Sequence, residues 1–247
     1  FIPFFSDVND GYDTVEWAAA QPWSNGQVGM TGGSYLGIVQ VLAAIARPPH
    51  LKAIFPIVTP ADFYDDLVFT GGALRQELFQ GWMTLMARTA KPPSSSPLPP
   101  DLNELWRHLP LDDPAPVEPG GPAYVRAWQS FMAHPSRDGF WEPIRVTEHF
   151  HGVQAPAFFV GGWYDIFAPS TPVNFRGWRD HGGSPEARRG TQMLIGPWIH
   201  GVNGPAGDLD PGPVSRVDLN ALQVRWFDLW LWGVDNGIDR EPPVRVF

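Results

Sequence analysis

The sequence contains no cysteine. Disulfides, thiolate catalysis and cysteine-based metal sites are therefore excluded. No apolar run approaches the length of a membrane span, and no signal-peptide pattern stands at the start. There is no G-x-x-x-x-G-K-[ST] segment and no complete dinucleotide fingerprint, so no glycine loop is offered to a nucleotide phosphate. Basic residues are too few and too scattered for a polyanion: 17 Lys and Arg stand against 26 Asp and Glu, a net charge of −9. That balance argues against a nucleic-acid or anionic-membrane partner. Arg188-Arg189 is only a pair and reads as solvated loop. No internal repeat is present. His149 and His151 are two apart, but no further ligand group lies at a metal-binding spacing. Neither a metal nor any other cofactor is expected.

What is present is ample apolar material. The 247 residues are 43% hydrophobic, enough for one large α/β domain or one domain with a sizeable insertion. Twelve Trp and 28 Pro suit core packing by default, and also suit irregular, aromatic-lined loops around a pocket. The chain opens on Phe1 rather than Met, as a sequence cut from a longer one would.

Residues 10–21 read as a helix capped by Asp10 or Asp13 and stopped by Pro22. A short buried strand follows at 27–31. Residues 35–46, YLGIVQVLAAIA, are apolar nearly all round except for Gln40, the pattern of a helix buried on most sides. Residues 51–58 read as a second buried strand, completing a parallel βαβ unit. The rhythm then breaks. Residues 60–150 carry the Pro-rich stretches 91–101 and 112–122 and the amphipathic segments 72–90 and 123–133, and read as a mainly helical insertion. Afterwards the pattern resumes: a strand at 155–162, a helix at 171–181, a strand at 191–196, and a helix at 218–233 bounded by Asp218 and Gly233. The expected domain plan is a first core segment over 1–59, the insertion over 60–150, and a second core segment over 151–247.

Ligands of open α/β sheets bind at the carboxyl ends of strands. Ser34 follows the first strand in GMTGGSYLG, Asp165 follows the third in GGWYDIF, and His200 follows the fourth in GPWIHG. The order Ser, Asp, His at strand ends is that of an α/β-hydrolase triad. A serine hydroxyl is a poor nucleophile until a base takes its proton, and histidine titrates in the right range to be that base. A buried carboxylate fixes the imidazole tautomer and stabilises the imidazolium. Gly32 and its neighbours give a strand-to-helix elbow room for close approach. The helix starting near Tyr35 points its N-terminus at the site, and the Tyr35 N–H is the natural oxyanion donor. The spacing departs from G-x-S-x-G, because Leu36 stands two residues after Ser34 and the second glycine is Gly37.

Three segments, DGYDTVEWAAAQPWSNGQVGMTGGSYLG, VGGWYDIF and IGPWIHG, together resemble the cocaine esterase and X-Pro dipeptidyl-peptidase family of CocE/NonD-type α/β-hydrolases. The α-amino acid ester hydrolases and glutaryl cephalosporin acylases are related members. The resemblance implies that Ser34 is the nucleophile, Asp165 the acid, His200 the base, and Tyr35 the residue whose backbone N–H forms half of an oxyanion hole. It also implies that the insertion is a helical cap lining the acyl pocket. Trp163 and Phe167 flank the acid and are candidates for that lining.

Two departures from the family matter. Its preceding strands, with a tyrosine serving as second oxyanion donor, would lie before Phe1. Its C-terminal jelly-roll domain would follow, and PPVRVF reads as the start of that domain's first strand. The chain thus reads as a central slice of a longer protein. Its Ser34 strand would offer an open apolar edge, which invites pairing with another chain, so a homo-oligomer is admitted as an assembly.

The function expected is a serine hydrolase that cleaves an ester or amide of a small apolar or aromatic acyl group. Ile166, Phe167 and Ala168 follow the acid where α-amino ester hydrolases place acidic residues. Asp62, Asp65 and Asp66 are alternative carboxylates, more readily read as caps. The rival readings are an X-Pro dipeptidyl aminopeptidase and, from another class, a non-catalytic α/β-hydrolase-like binding domain.

Overall fold

The computed structural model describes residues 2–90, 102–204 and 206–247. In chain order, α1 (Asp7–Ala19), β1 (Val28–Gly33), α2 (Tyr35–Ala46) and β2 (Leu51–Ile57) come first. A segment of short elements follows: the strand pair β3 (Phe69–Thr70) and β4 (Ala73–Leu74), then α3 (Gly81–Thr89), α4 (Leu102–Trp106) and α5 (Pro122–Met132). The chain then runs through α6 (Val146–His149), β5 (Phe158–Gly162), α7 (Ser170–His181), α8 (Pro185–Gly190), β6 (Gln192–Gly196), α9 (Leu219–Trp232) and β7 (Val244–Val246).

The chain divides into two compact units. The first joins the residues up to Ser6 to Asp62–Ile144, and the second joins Asp7–Ala61 to Arg145–Phe247.

The second unit holds a five-stranded sheet in the order β1-β2-β5-β6-β7, parallel throughout. The central strands β2, β5 and β6 are buried almost throughout, which is why they read as near-continuous apolar runs; the edge strand β1 is only partly buried, unlike the buried strand expected at 27–31. Successive residues point to opposite faces. Phe158 stacks on Phe55 at 4.8 Å and meets Trp226 of α9 edge-on, while its neighbour Phe159 meets Trp178 of α7 on the other side. Helix α2 buries Ile38, Val41, Leu42, Ala43 and Ala44, as its all-round apolar pattern predicts. Asp218 caps α9 by accepting the Ala221 N–H, and Gly233 closes it in the left-handed conformation.

Pro56 sits inside β2, a central strand, where it leaves a gap. Ile54 donates its N–H to Pro156 and Val58 donates to Val160. By alternation the nitrogen of Pro56 faces the same neighbour with nothing to donate. Val58, just beyond the strand, has φ of 50°, a strained value for a β-branched residue.

Four differences from the sequence reading have physical causes. The sheet has five strands rather than four: 244–246 pairs with β6 in register Met193↔Val244 to Ile195↔Val246. Arg245 anchors it by pairing with Glu241 at 3.0 Å and lying over the Phe158 ring. Helix α1 begins at Asp7, so Asp10 lies in its first turn instead of capping it, and Asp13 lies further inside. Both Asp7 and Asp10 favour the positive end of the helix dipole.

The first unit is mainly helical, but it also contains the β3–β4 hairpin. Gly71 and Gly72, both at positive φ, supply its two-residue turn. Residues before Asp7 join this unit rather than the sheet, because Phe4 packs on Phe63 and Trp82 while Phe5 packs on Phe131 and Phe140. The Pro-rich stretch 91–101 lies outside the described residues. The other, 112–122, forms a 3-10 helix over Ala115–Gly120 and leads into α5.

Candidate active site

Ser34 stands between the last residue of β1 and the first of α2, with φ 56° and ψ −123°. That conformation is rare for a residue with a side chain and marks a strained elbow. Its N–H donates to the Ile57 carbonyl at 2.9 Å, which ties the elbow to the end of β2. Gly37 allows the approach: a Cβ there would lie 2.5 Å from Thr59 Cγ2 and 2.9 Å from the Ile57 oxygen. The second glycine is thus a packing requirement of the helix against β2, and its offset from the usual motif leaves the elbow intact.

Asp165 lies in the loop after β5. Trp163 donates its N–H to the Gly196 carbonyl and Tyr164 donates to the Trp198 carbonyl, so this loop is stitched to the one that carries His200. The Asp165 side chain is 1% exposed. Its Oδ1 accepts the Phe167 N–H at 2.7 Å, and its Oδ2 lies 2.6 Å from His200 Nδ1. On the other side of the ring, His200 Nε2 lies 2.9 Å from Ser34 Oγ. A carboxylate can only accept. In a neutral imidazole the proton therefore sits on Nδ1, leaving Nε2 to accept from the serine hydroxyl.

The three sequence candidates Ser34, Asp165 and His200 are thus brought into one hydrogen-bonded chain. Tyr35 is the first residue of α2, and its phenol donates to the Asp7 carboxylate at 2.6 Å. Phe167 is buried, with its ring 5.5 Å from the imidazole of His200 and nearly perpendicular to it. Trp163 is half exposed, and its indole N–H donates to the Phe247 carbonyl at 2.7 Å.

The alternative carboxylates are engaged elsewhere. Asp62 accepts the N–H groups of Tyr64 and Asp65, Asp66 accepts that of Asp62, and Asp62 and Asp65 both pair with Arg137. His50, His108 and His134 each face a carboxylate, from Glu16, Asp113 and Asp138. The His134 side chain holds the Asp138 carboxyl below its ordinary range, helped by the Phe140 N–H. No group of metal-ligating side chains occurs among the described residues.

Residues 1–202 match the family model described as X-Pro dipeptidyl-peptidase (S15 family). The chain belongs to the S15 family. This S15 chain is 30% identical over 262 residues to cocaine esterase from Rhodococcus sp. (strain MB1 Bresler), a match that takes in 100% of the chain and 44% of that protein. Among solved structures, a CocE/NonD family hydrolase from Staphylococcus aureus aligns with a TM-score of 0.67 at 21% identity, over 100% of this chain and 36% of the other. An α-amino acid ester hydrolase aligns at 0.69 and 23%, over 98% of this chain and 40% of its own. These two likenesses show the fold, an α/β-hydrolase parallel sheet. The S15 chain spans less than half the length of cocaine esterase.

The sequence reading did not assign a role to Gln40 or Gly37 in shaping the elbow. The signal for Gln40 was available as the single carboxamide in an otherwise largely apolar helix. The signal for Gly37 was its place on the face of α2 that meets β2.

Proposed function

We propose that the chain carries the active site of a serine hydrolase that cleaves an ester or amide bond through an acyl-enzyme on Ser34. The observation that carries this reading is the continuous chain from Asp165 Oδ2 through both His200 nitrogens to Ser34 Oγ, with spacings of 2.6 and 2.9 Å.

In this reading Ser34 Oγ bonds to the substrate carbonyl carbon as its proton passes to His200 Nε2, and Asp165 stays ionised beside the imidazolium. The carbonyl oxygen becomes an oxyanion, received by the Tyr35 N–H at the start of α2. The tetrahedral species collapses: the bond to the alcohol or amine breaks, and the leaving group takes the proton from Nε2. A water then gives a proton to Nε2 and bonds to the acyl carbon. The acid departs and the proton returns to Ser34 Oγ.

Membership of the S15 family supports the reaction class. A small apolar or aromatic acyl group is favoured by the exposed apolar residues flanking the triad in sequence, namely Leu36, Tyr164, Ile166 and Ile199. A second reading, release of Xaa-Pro dipeptides, is favoured by the family description. It needs a carboxylate for the substrate ammonium, and the side chains of Asp62 and Asp65 are held by Arg137.

The test is labelling with a fluorophosphonate probe. Wild type is expected to label, and Ser34→Ala and His200→Ala are expected not to. A folded wild-type chain that fails to label would overturn the proposal in favour of a binding domain. In a labelling chain, aryl esters compared with Xaa-Pro anilides separate the two substrate classes.

A further inference from the structure

Gln40 is 0% exposed. It is the sole buried polar side chain in α2, a helix whose other buried positions are Gly37 and apolar residues. Its carboxamide is nevertheless fully engaged. Nε2 donates to the Leu36 carbonyl at 2.7 Å and to the Gly32 carbonyl at 3.2 Å. Oε1 accepts the Phe55 N–H at 3.0 Å. An amide nitrogen has two protons, and here both have acceptors.

The three partners bracket the elbow. Gly32 lies two residues before Ser34 in β1. Leu36 lies two residues after it in α2. Phe55 lies in β2, two residues before Ile57, whose carbonyl accepts the Ser34 N–H. One side chain therefore joins the strand entering the elbow, the helix leaving it and the strand beside it. These are the three segments whose relative placement sets the dihedrals of Ser34.

Strained backbone persists only where its surroundings over-determine it. The N-cap position of α2 carries no side-chain cap from Ser34 itself, so its own hydroxyl does not hold the conformation and remains directed to His200. A purely space-filling role would be met by Met or Leu without placing a polar amide in an apolar interior.

We infer that Gln40 is a positioning residue for the nucleophile: its carboxamide holds the Ser34 elbow so that the Oγ stays within hydrogen-bond reach of His200 Nε2. This rests on the reading of Ser34 as the nucleophile. Gln40 has no part in the proton transfers and acts through the backbone.

The experiment compares wild type, Gln40→Met and Val41→Ala in the full chain. Val41 is equally buried in the same helix and touches none of the three bonds. Four readouts are taken: the fluorophosphonate labelling rate, kcat and KM on an aryl ester, hydrogen exchange of the peptides covering 28–37 and 219–232, and the denaturant unfolding midpoint. For Gln40→Met, the expected result is a labelling rate and kcat lowered about 10- to 100-fold, the scale of a small misplacement of reacting groups. KM should stay within about twofold, and exchange should quicken in 28–37 but not in 219–232. Val41→Ala is expected to lower the unfolding midpoint while labelling at the wild-type rate.

Wild-type labelling by folded Gln40→Met would overturn the inference. So would a loss in Val41→Ala as large as in Gln40→Met, because the effect would then follow stability rather than the carboxamide. Absence of labelling in wild type would instead overturn the nucleophile reading. Exchange would then decide whether Gln40 fixes the elbow, with unchanged rates in 28–37 counting against it.

Discussion

His200 Nε2 lies 2.9 Å from Ser34 Oγ, although 166 positions separate the two residues in sequence. The imidazole is turned toward the hydroxyl because its opposite nitrogen is held at 2.6 Å by Asp165, whose other oxygen is fixed by the Phe167 N–H.

Replacing the acid removes this orientation without removing volume. Asp165→Asn is expected to lower kcat by about 10⁴, the scale of wrong-tautomer variants in serine hydrolases, with a smaller change in KM. Steady-state kinetics on an activated ester measures it. A loss below tenfold would show that Asp165 does not orient the base.

Gly37→Ala places a methyl group 2.5 Å from Thr59 Cγ2 and 2.9 Å from the Ile57 oxygen. The carbonyl is backbone and cannot swing aside, so α2 must shift from β2. A destabilisation of about 1–3 kcal/mol is expected, together with slower serine labelling. Denaturant unfolding with the labelling assay reads both, and an unchanged midpoint would contradict the close approach.

Tyr35→Phe deletes the phenol that donates to Asp7. A part-buried hydrogen bond to a carboxylate contributes about 1.5 kcal/mol, and the variant should lose roughly that in urea unfolding. The backbone N–H of residue 35 is retained, so kcat should fall less than for Asp165→Asn. Equal losses in the two variants would argue against assigning Tyr35 its role through the backbone.

Asp138 gives a pH-dependent prediction. The hydrogen bond from His134 holds the Asp138 carboxyl, in the folded state, below the ordinary value of 3.8. The stabilisation is therefore present above that unfolded value and lost as pH falls through the folded one. The midpoint difference between wild type and Asp138→Asn should be present near neutrality and close progressively below pH 3.8. Because the pair is exposed, the difference should be small and reduced by salt. A gap that widens in acid would reverse the assignment.

The triad candidates were legible because each follows an apolar strand within a few residues, and the order of the three is informative even with no structure. The helices α2, α7 and α9 were legible from pattern and end signals that are local. Strand β7 was read as a strand, but its place in this sheet was not legible, since it is three residues long and that place depends on the distant Phe158 ring and on Glu241. The membership of Phe4 and Phe5 in the first unit was hidden for the same reason, as their ring partners lie far along the chain. Gln40 was visible as an anomaly in an apolar helix, but periodicity says nothing about which carbonyls a side chain will meet. The start of α1 was placed too late because three acidic residues, Asp7, Asp10 and Asp13, compete for the same end of one helix.

Pro56 divides the Ser34–His200–Asp165 chain in a way that the order of the strands makes plain. The donor it lacks faces β5, at the junction between β1-β2 and β5-β6-β7. Ser34 belongs to one side of this seam, while Asp165 and His200 belong to the other. The Asp165–His200 pair is therefore internal to one half of the sheet, and of the two side-chain bonds the one from His200 to Ser34 crosses the seam. A slip between the halves would stretch the His200–Ser34 bond and leave the Asp165–His200 pair whole, so the register of two adjacent strands sets the spacing on which the proposed proton transfer depends.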